Sequence, residues 1–139
     1  MIILQNIGDV VKRLAARYRL TAVILFGSRA RGDWVPWSDY DLLIIGGFEK
    51  NYIDRIGDIL ELLSDIKIPV EPHPYTLEEA LDMLRKGSPL IFNAVEEGVV
   101  LYKGNGYEKL LETFQKLREK GMRRGSISII LPEAGDNPP

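Results

Sequence analysis

Apolar positions along this chain follow two different periods, and their alternation predicts strands wrapped by helices. Ile7, Val10, Val11, Leu14, Ala15 and Tyr18 recur every three or four residues, so the first element is an amphipathic helix that needs a sheet to pack on. The run TAVILF, residues 21–26, is apolar, rich in β-branched residues and cut off by Gly27, the pattern of a strand covered on both faces. A polar and aromatic stretch, SRARGDWVPWS, leads into DLLII, a second buried strand that ends at Gly46 and Gly47. Helical spacing returns at Tyr52, Ile53, Ile56, Ile59, Leu60 and Leu63, and this helix should cross back to a short third strand around residues 68–71.

Thr76-Leu77-Glu78-Glu79 has the form of a capping box, opening a helix with Leu77, Ala80, Leu81 and Leu84 inward. Ser88 should cap another helix, with Pro89 at its first position and Gly98 just past its end. VVLY predicts a fourth strand, and Leu110, Leu111, Phe114 and Leu117 mark the inner face of a final helix. SISIIL alternates once and then turns wholly apolar, which fits either an added edge strand or a segment that docks on a partner. The closing PEAGDNPP should fray. With no repeat or linker in between, the reading is one domain over residues 1–131 and a flexible tail over 132–139.

Composition narrows the classes. Hydrophobic residues make up 45% and charged residues 27% of 139, the balance of a soluble globule with a real core. The apolar runs are strand-sized, too short to span a membrane, and the first residues lack the basic start and long apolar block of a secretory signal, so a cytoplasmic protein is expected. Without cysteine, a metal must be bound by oxygen or by the single histidine. A formal charge of -2 argues against a chain whose main task is coating nucleic acid. Residues 103–124 nevertheless carry seven Lys and Arg against three Glu, a face that reads first as a solvated helix and second as a surface for an acidic partner or RNA.

The candidate chemistry lies in FGSRARGDWVPWSDYDLLI, residues 26–44. A glycine directly after a buried strand lets the backbone turn sharply, so that amides and the Ser28 hydroxyl can point at phosphate oxygens. Asp39 and Asp41 are two apart at the mouth of a strand, so their side chains share a face. Two adjacent carboxylates repel unless a cation sits between them, which suits magnesium. There is no G-x-x-x-x-G-K followed by Ser or Thr, so a P-loop is excluded.

A strand ending in Gly27-Ser28, ten residues, and then Asp39-Tyr40-Asp41 heading a second strand resembles the signature of the polymerase-beta-like nucleotidyltransferases. Arg29-Ala30-Arg31-Gly32 and Ser38-Asp39 make it similar to their minimal, single-domain members, the MNT type, over about residues 1–105. The resemblance implies an α/β (α+β) fold with a mixed sheet of about four strands flanked by helices. It implies a nucleoside triphosphate, ATP first, near Gly27, Ser28, Arg29 and Ser38, and two magnesium ions on Asp39, Asp41 and a third acid. Glu71, the acid of the predicted third strand, takes that role, in place of the commoner aspartate. Arg31 is a further phosphate candidate.

His73, in a Pro-rich turn, reads as structural or exposed, and Trp34 and Trp37 as packing over the sheet end or stacking on a base or partner. By resemblance, transfer of a nucleoside monophosphate to a hydroxyl would make the chain the antitoxin of a HEPN-type ribonuclease. The alternative is a non-catalytic module that neutralises such a toxin by binding; RNA as acceptor and a homo-oligomer stay open. Small-molecule modification is disfavoured, because too little chain remains for a helical substrate domain.

Overall fold

The structure is a computed structural model and describes residues 2–125 and 128–132. In chain order the elements are α1 (Ile2–Arg17), β1 (Leu20–Phe26), α2 (Ser28–Arg31), β2 (Tyr40–Gly46), α3 (Tyr52–Leu62), β3 (Val70–Tyr75), α4 (Leu77–Arg85), α5 (Pro89–Glu97), β4 (Val99–Lys103), α6 (Tyr107–Glu119), β5 (Arg123–Arg124) and β6 (Ile129–Ile130). β1 to β4 form one sheet in the order β3-β2-β1-β4. β1 runs antiparallel to β2 and β4, while β2 and β3, joined through α3, are parallel. This is the mixed four-stranded sheet that the resemblance implied, and the order explains why β1 and β2 are the most apolar strands: both are interior.

Alternation along those strands feeds two cores. Val23, Leu42 and Ile44 face Val10 and Leu14 of α1 and Ile59 of α3. Ala22, Ile24, Leu43 and Ile45 face α4, α5 and α6 through Leu84, Ile91, Phe92, Leu110 and Phe114. Both helix starts predicted from side-chain caps are present. Thr76 and Glu79 close a reciprocal capping box, and the Ser88 hydroxyl accepts from the Ile91 amide ahead of Pro89.

Three expectations are revised. First, α3 does not bury all six of its apolar positions: Ile59 and Leu63 are buried, whereas Ile53 and Leu60 are exposed by 74% and 47%. At about 100° per residue these two fall on the flank of the helix, and Arg55 takes the inward place. Second, the third strand is not confined to 68–71 but runs through Pro72, His73 and Pro74 to Tyr75. It tolerates two prolines because it is the sheet edge, where every second amide points away from β2 and needs no partner. Third, Ile129–Ile130 join no edge of the main sheet and pair with Arg123–Arg124 in a two-stranded ribbon. Ser126 and Ile127 of SISIIL, and residues 133–139 of the expected tail, lie outside the described residues.

The buried Arg55 ties β3 to both neighbouring helices. Its Nε donates to the Lys50 carbonyl at 2.7 Å, and its Nη1 to the Pro74 carbonyl at 3.3 Å and to Glu79 at 2.7 Å. The Arg55 hydrogen bonds hold the Glu79 carboxyl below its ordinary value. A lowered folded value means that the stabilisation is present above the ordinary Glu range and is lost as pH falls through the folded value. Glu79→Gln should therefore lower unfolding free energy at pH 7 by about 1.5 to 3 kcal/mol, the scale of hydrogen bonds to a charged group. The lower end is expected because the Glu79 side chain is 44% exposed. Urea unfolding at pH 7 and again at pH 3 checks it; the difference should shrink at the lower pH.

Among the described residues, no helix is long and apolar enough to cross a membrane. Part of the basic excess after residue 103 is neutralised internally, since Arg118 and Arg124 both pair with Glu96 of α5.

Candidate active site

The site forms where β1, β2 and β3 present one face to the same corner of the sheet. β1 ends at Phe26, and Gly27 takes φ 77°, ψ -159°, a conformation essentially restricted to glycine. The α2 turn follows at once, closed by donation from the Ala30 and Arg31 amides to the Gly27 carbonyl, both at 3.1 Å. The Ser28 and Arg29 amides, at the start of that turn, have no intrahelical acceptor. Gly27 is required for a second reason. A Cβ on it would lie 2.4 Å from Oδ2 of Asp41, so the chain reversal and the carboxylate share one space.

Register places the acids. Phe26 pairs with Asp41, and Asp41 pairs with Glu71, in one lateral row across three strands. Asp41, Glu71 and His73 bring one ligand atom each within 4.8 Å of one another. The Asp41 carboxylate raises the Glu71 carboxyl above its ordinary value, first through the hydrogen bond between them, then through burial and its charge; His73 opposes the rise. Two carboxyl groups facing each other across the β2–β3 pair offer oxygen donors of the kind a divalent cation takes, so the residues present fit a metal.

The other expected residues are placed differently. Asp39 is exposed, immediately before β2, two residues from Asp41 and outside the 4.8 Å group. Arg29 turns into the connector: its guanidinium donates to the Ser38 carbonyl at 3.1 Å and the Pro36 carbonyl at 3.3 Å, and lies over the rings of Trp34 at 4.3 Å and Tyr40 at 4.4 Å. The Ser38 hydroxyl accepts from the Val35 amide at 3.0 Å. Arg29, Ser38 and Trp34 thus brace the segment that delivers Asp39, while Trp37 is 79% exposed. Arg31 pairs with Asp33 at 3.3 Å and Glu97 at 3.7 Å.

His73 lies not in the turn that the neighbouring prolines suggest but on β3, where it shares a face with Glu71, two positions along the strand. The spacing of Glu71 and His73 was the available signal. It was obscured by the prolines on either side of His73, which suggested that the strand had ended.

The sequence model of the nucleotidyltransferase domain family matches residues 7–102. The chain belongs to that family. This nucleotidyltransferase is 34% identical over 100 residues, 69% of its length and 94% of the relative's, to a Methanocaldococcus jannaschii protein provisionally named protein adenylyltransferase MJ0604. It is 35% identical over 105 residues to MJ1305 of the same organism, a protein with the same provisional name, covering 70% of this chain and 69% of that one. The structure of a Sulfolobus solfataricus protein provisionally named nucleotidyltransferase superposes with a TM-score of 0.52 at 28% identity, over 72% of this chain and 79% of that chain. A chain of a crystallised MntA toxin-antitoxin complex superposes with a TM-score of 0.54 at 18% identity, over 81% and 89%, and shares the fold.

Proposed function

We propose that this nucleotidyltransferase transfers AMP from ATP to a side-chain hydroxyl of a partner protein in the cytoplasm, as the antitoxin of a HEPN-type toxin. The observation that carries the reading is the in-register pair Asp41 and Glu71 beside the Gly27-Ser28 turn that opens α2. The adenylyltransferase names of the relatives support AMP and a protein acceptor, and the fold shared with an MntA toxin-antitoxin chain supports the partner class.

In this reading Gly27 and Ser28 hold the outer phosphates through the first amides of α2 and the Ser28 hydroxyl. Asp39, Asp41 and Glu71 would hold two magnesium ions, which would supply charge to offset the phosphates and to lower the pKa of the acceptor hydroxyl. Arg29 positions the connector so that Asp39 joins the other two acids. The acceptor oxygen bonds to the alpha phosphorus, the bond to the pyrophosphate oxygen breaks, and the hydroxyl proton passes to solvent. Residues 1–131 would act as one domain.

Incubation with each alpha-labelled triphosphate, magnesium and lysate of the chain's own host tests this. Label from ATP should appear on protein, survive ribonuclease and be released by phosphodiesterase. Label lost to ribonuclease would make RNA the acceptor. Nucleotide binding without transfer to any host component would instead favour a binding module.

A further inference from the structure

We infer that His73 is a direct nitrogen ligand of the divalent cation at the Asp41-Glu71 pair, so that this chain takes transition-metal ions such as Co2+, Mn2+ or Zn2+ through a mixed oxygen and nitrogen site. The inference rests on the proposed cation site and adds to its donor set. Asp41 and Glu71 face each other across the parallel β2–β3 pair, and His73, two residues on, faces the same side. All three offer ligand atoms within 4.8 Å of one another.

The spacing favours a shared ion over a simple hydrogen bond. His73 Nε2 stands 3.5 Å from Asp41 Oδ1, long for N–H···O, which is ordinarily about 2.7 to 3.2 Å. Two ligand atoms about 2.1 Å from one ion at tetrahedral angles lie about 3.4 Å apart. The imidazole is also held in place: the Phe26 ring packs on it with centroids 5.2 Å apart and planes at 59°. His73 and Asp41 side chains are only 15% and 24% exposed, so the nitrogen is presented to the corner of the sheet more than to bulk water.

Donor chemistry then sets preference. Magnesium takes oxygen and retains water, whereas imidazole suits zinc, cobalt, nickel and copper, and manganese accepts both donor types. Removing His73 should weaken the transition ions far more than magnesium. The bland alternative, an imidazole that only packs on Phe26, predicts no such difference.

The chain has a single histidine, so the untagged protein labelled with 15N shows one imidazole. At pH 8, saturating Zn2+ should displace the resonance of one ring nitrogen, and Co2+ should shift it paramagnetically, while Mg2+ leaves it near its starting position. By calorimetry, His73→Gln should bind Co2+ about ten-fold or more weakly than the parent and change Mg2+ affinity by less than about three-fold. The parent spectrum does not depend on whether the variant folds. A ring unmoved by Zn2+ that calorimetry shows to be bound, or parental Co2+ affinity in a folded His73→Gln, overturns the assignment of His73 alone. A parent that binds no divalent cation, with or without nucleotide, overturns both this inference and the cation site beneath it.

Discussion

Asp41→Asn is expected to lower nucleotidyl transfer by about 10³-fold or more, the scale of losing one preorganised group at a developing charge, while making the cation-free protein more stable. Asp41 is the residue on which the corner converges: it pairs with Phe26 and Glu71, and its carboxylate occupies the space beside Gly27. Hydrogen bonding with Asp41, then burial and the Asp41 charge, raises the Glu71 carboxyl. A raised folded value means that the protonated acid favours the fold, so the contribution is full below the ordinary Glu range and is lost as pH rises through the raised value. Asparagine keeps the shape, can donate to Glu71 and removes the repulsion. Thermal unfolding without metal should therefore show a gain for Asp41→Asn at pH 7 to 8 that shrinks as pH falls through the raised Glu71 value toward the ordinary Glu range. Parental transfer, or a stability gain that does not depend on pH, would remove the paired acids from the mechanism.

Gly27→Ala should lose both stability and transfer, and for separable reasons. The backbone at φ 77°, ψ -159° costs a non-glycine residue about 1 to 3 kcal/mol, which for a domain of this size lowers the melting temperature by about 3 to 10 °C. The new methyl would also lie 2.4 Å from the Asp41 carboxylate and must displace it, and a ligand misplaced by about 1 Å can cost 10²-fold in rate. Gly32→Ala is the control. Gly32 too has positive φ, 86°, but nothing lies within 4 Å of an added Cβ, so this variant should lose stability and keep its transfer rate within a few-fold. Equal losses of transfer in the two variants, measured below their melting temperatures, would mean that strain in the turn matters and the close approach to Asp41 does not.

Much of this protein follows from local sequence, because periodicity, caps and turns depend on residues a few positions apart. The apolar blocks marked β1 and β2 as buried strands, Thr76 with Glu79 and Ser88 with Pro89 marked two helix starts, and Gly27-Ser28 followed by Asp39-Tyr40-Asp41 located the candidate chemistry. Tertiary structure decided the rest. Whether Glu71 meets Asp41 depends on the register of two parallel strands joined by a helix, and no residue within either strand specifies it. Two prolines could stay within β3 only because the strand order makes it an edge, and that same order carried His73 into the acidic corner. Arg55 could be buried on α3 because Glu79, 24 residues away, and two backbone carbonyls satisfy its charge. Arg29 and Ser38, near in sequence to the phosphate turn, found partners in the connector first. In each case the deciding contact joins residues far apart in the chain or forms only once the loop has closed, and local pattern carries no information about such contacts.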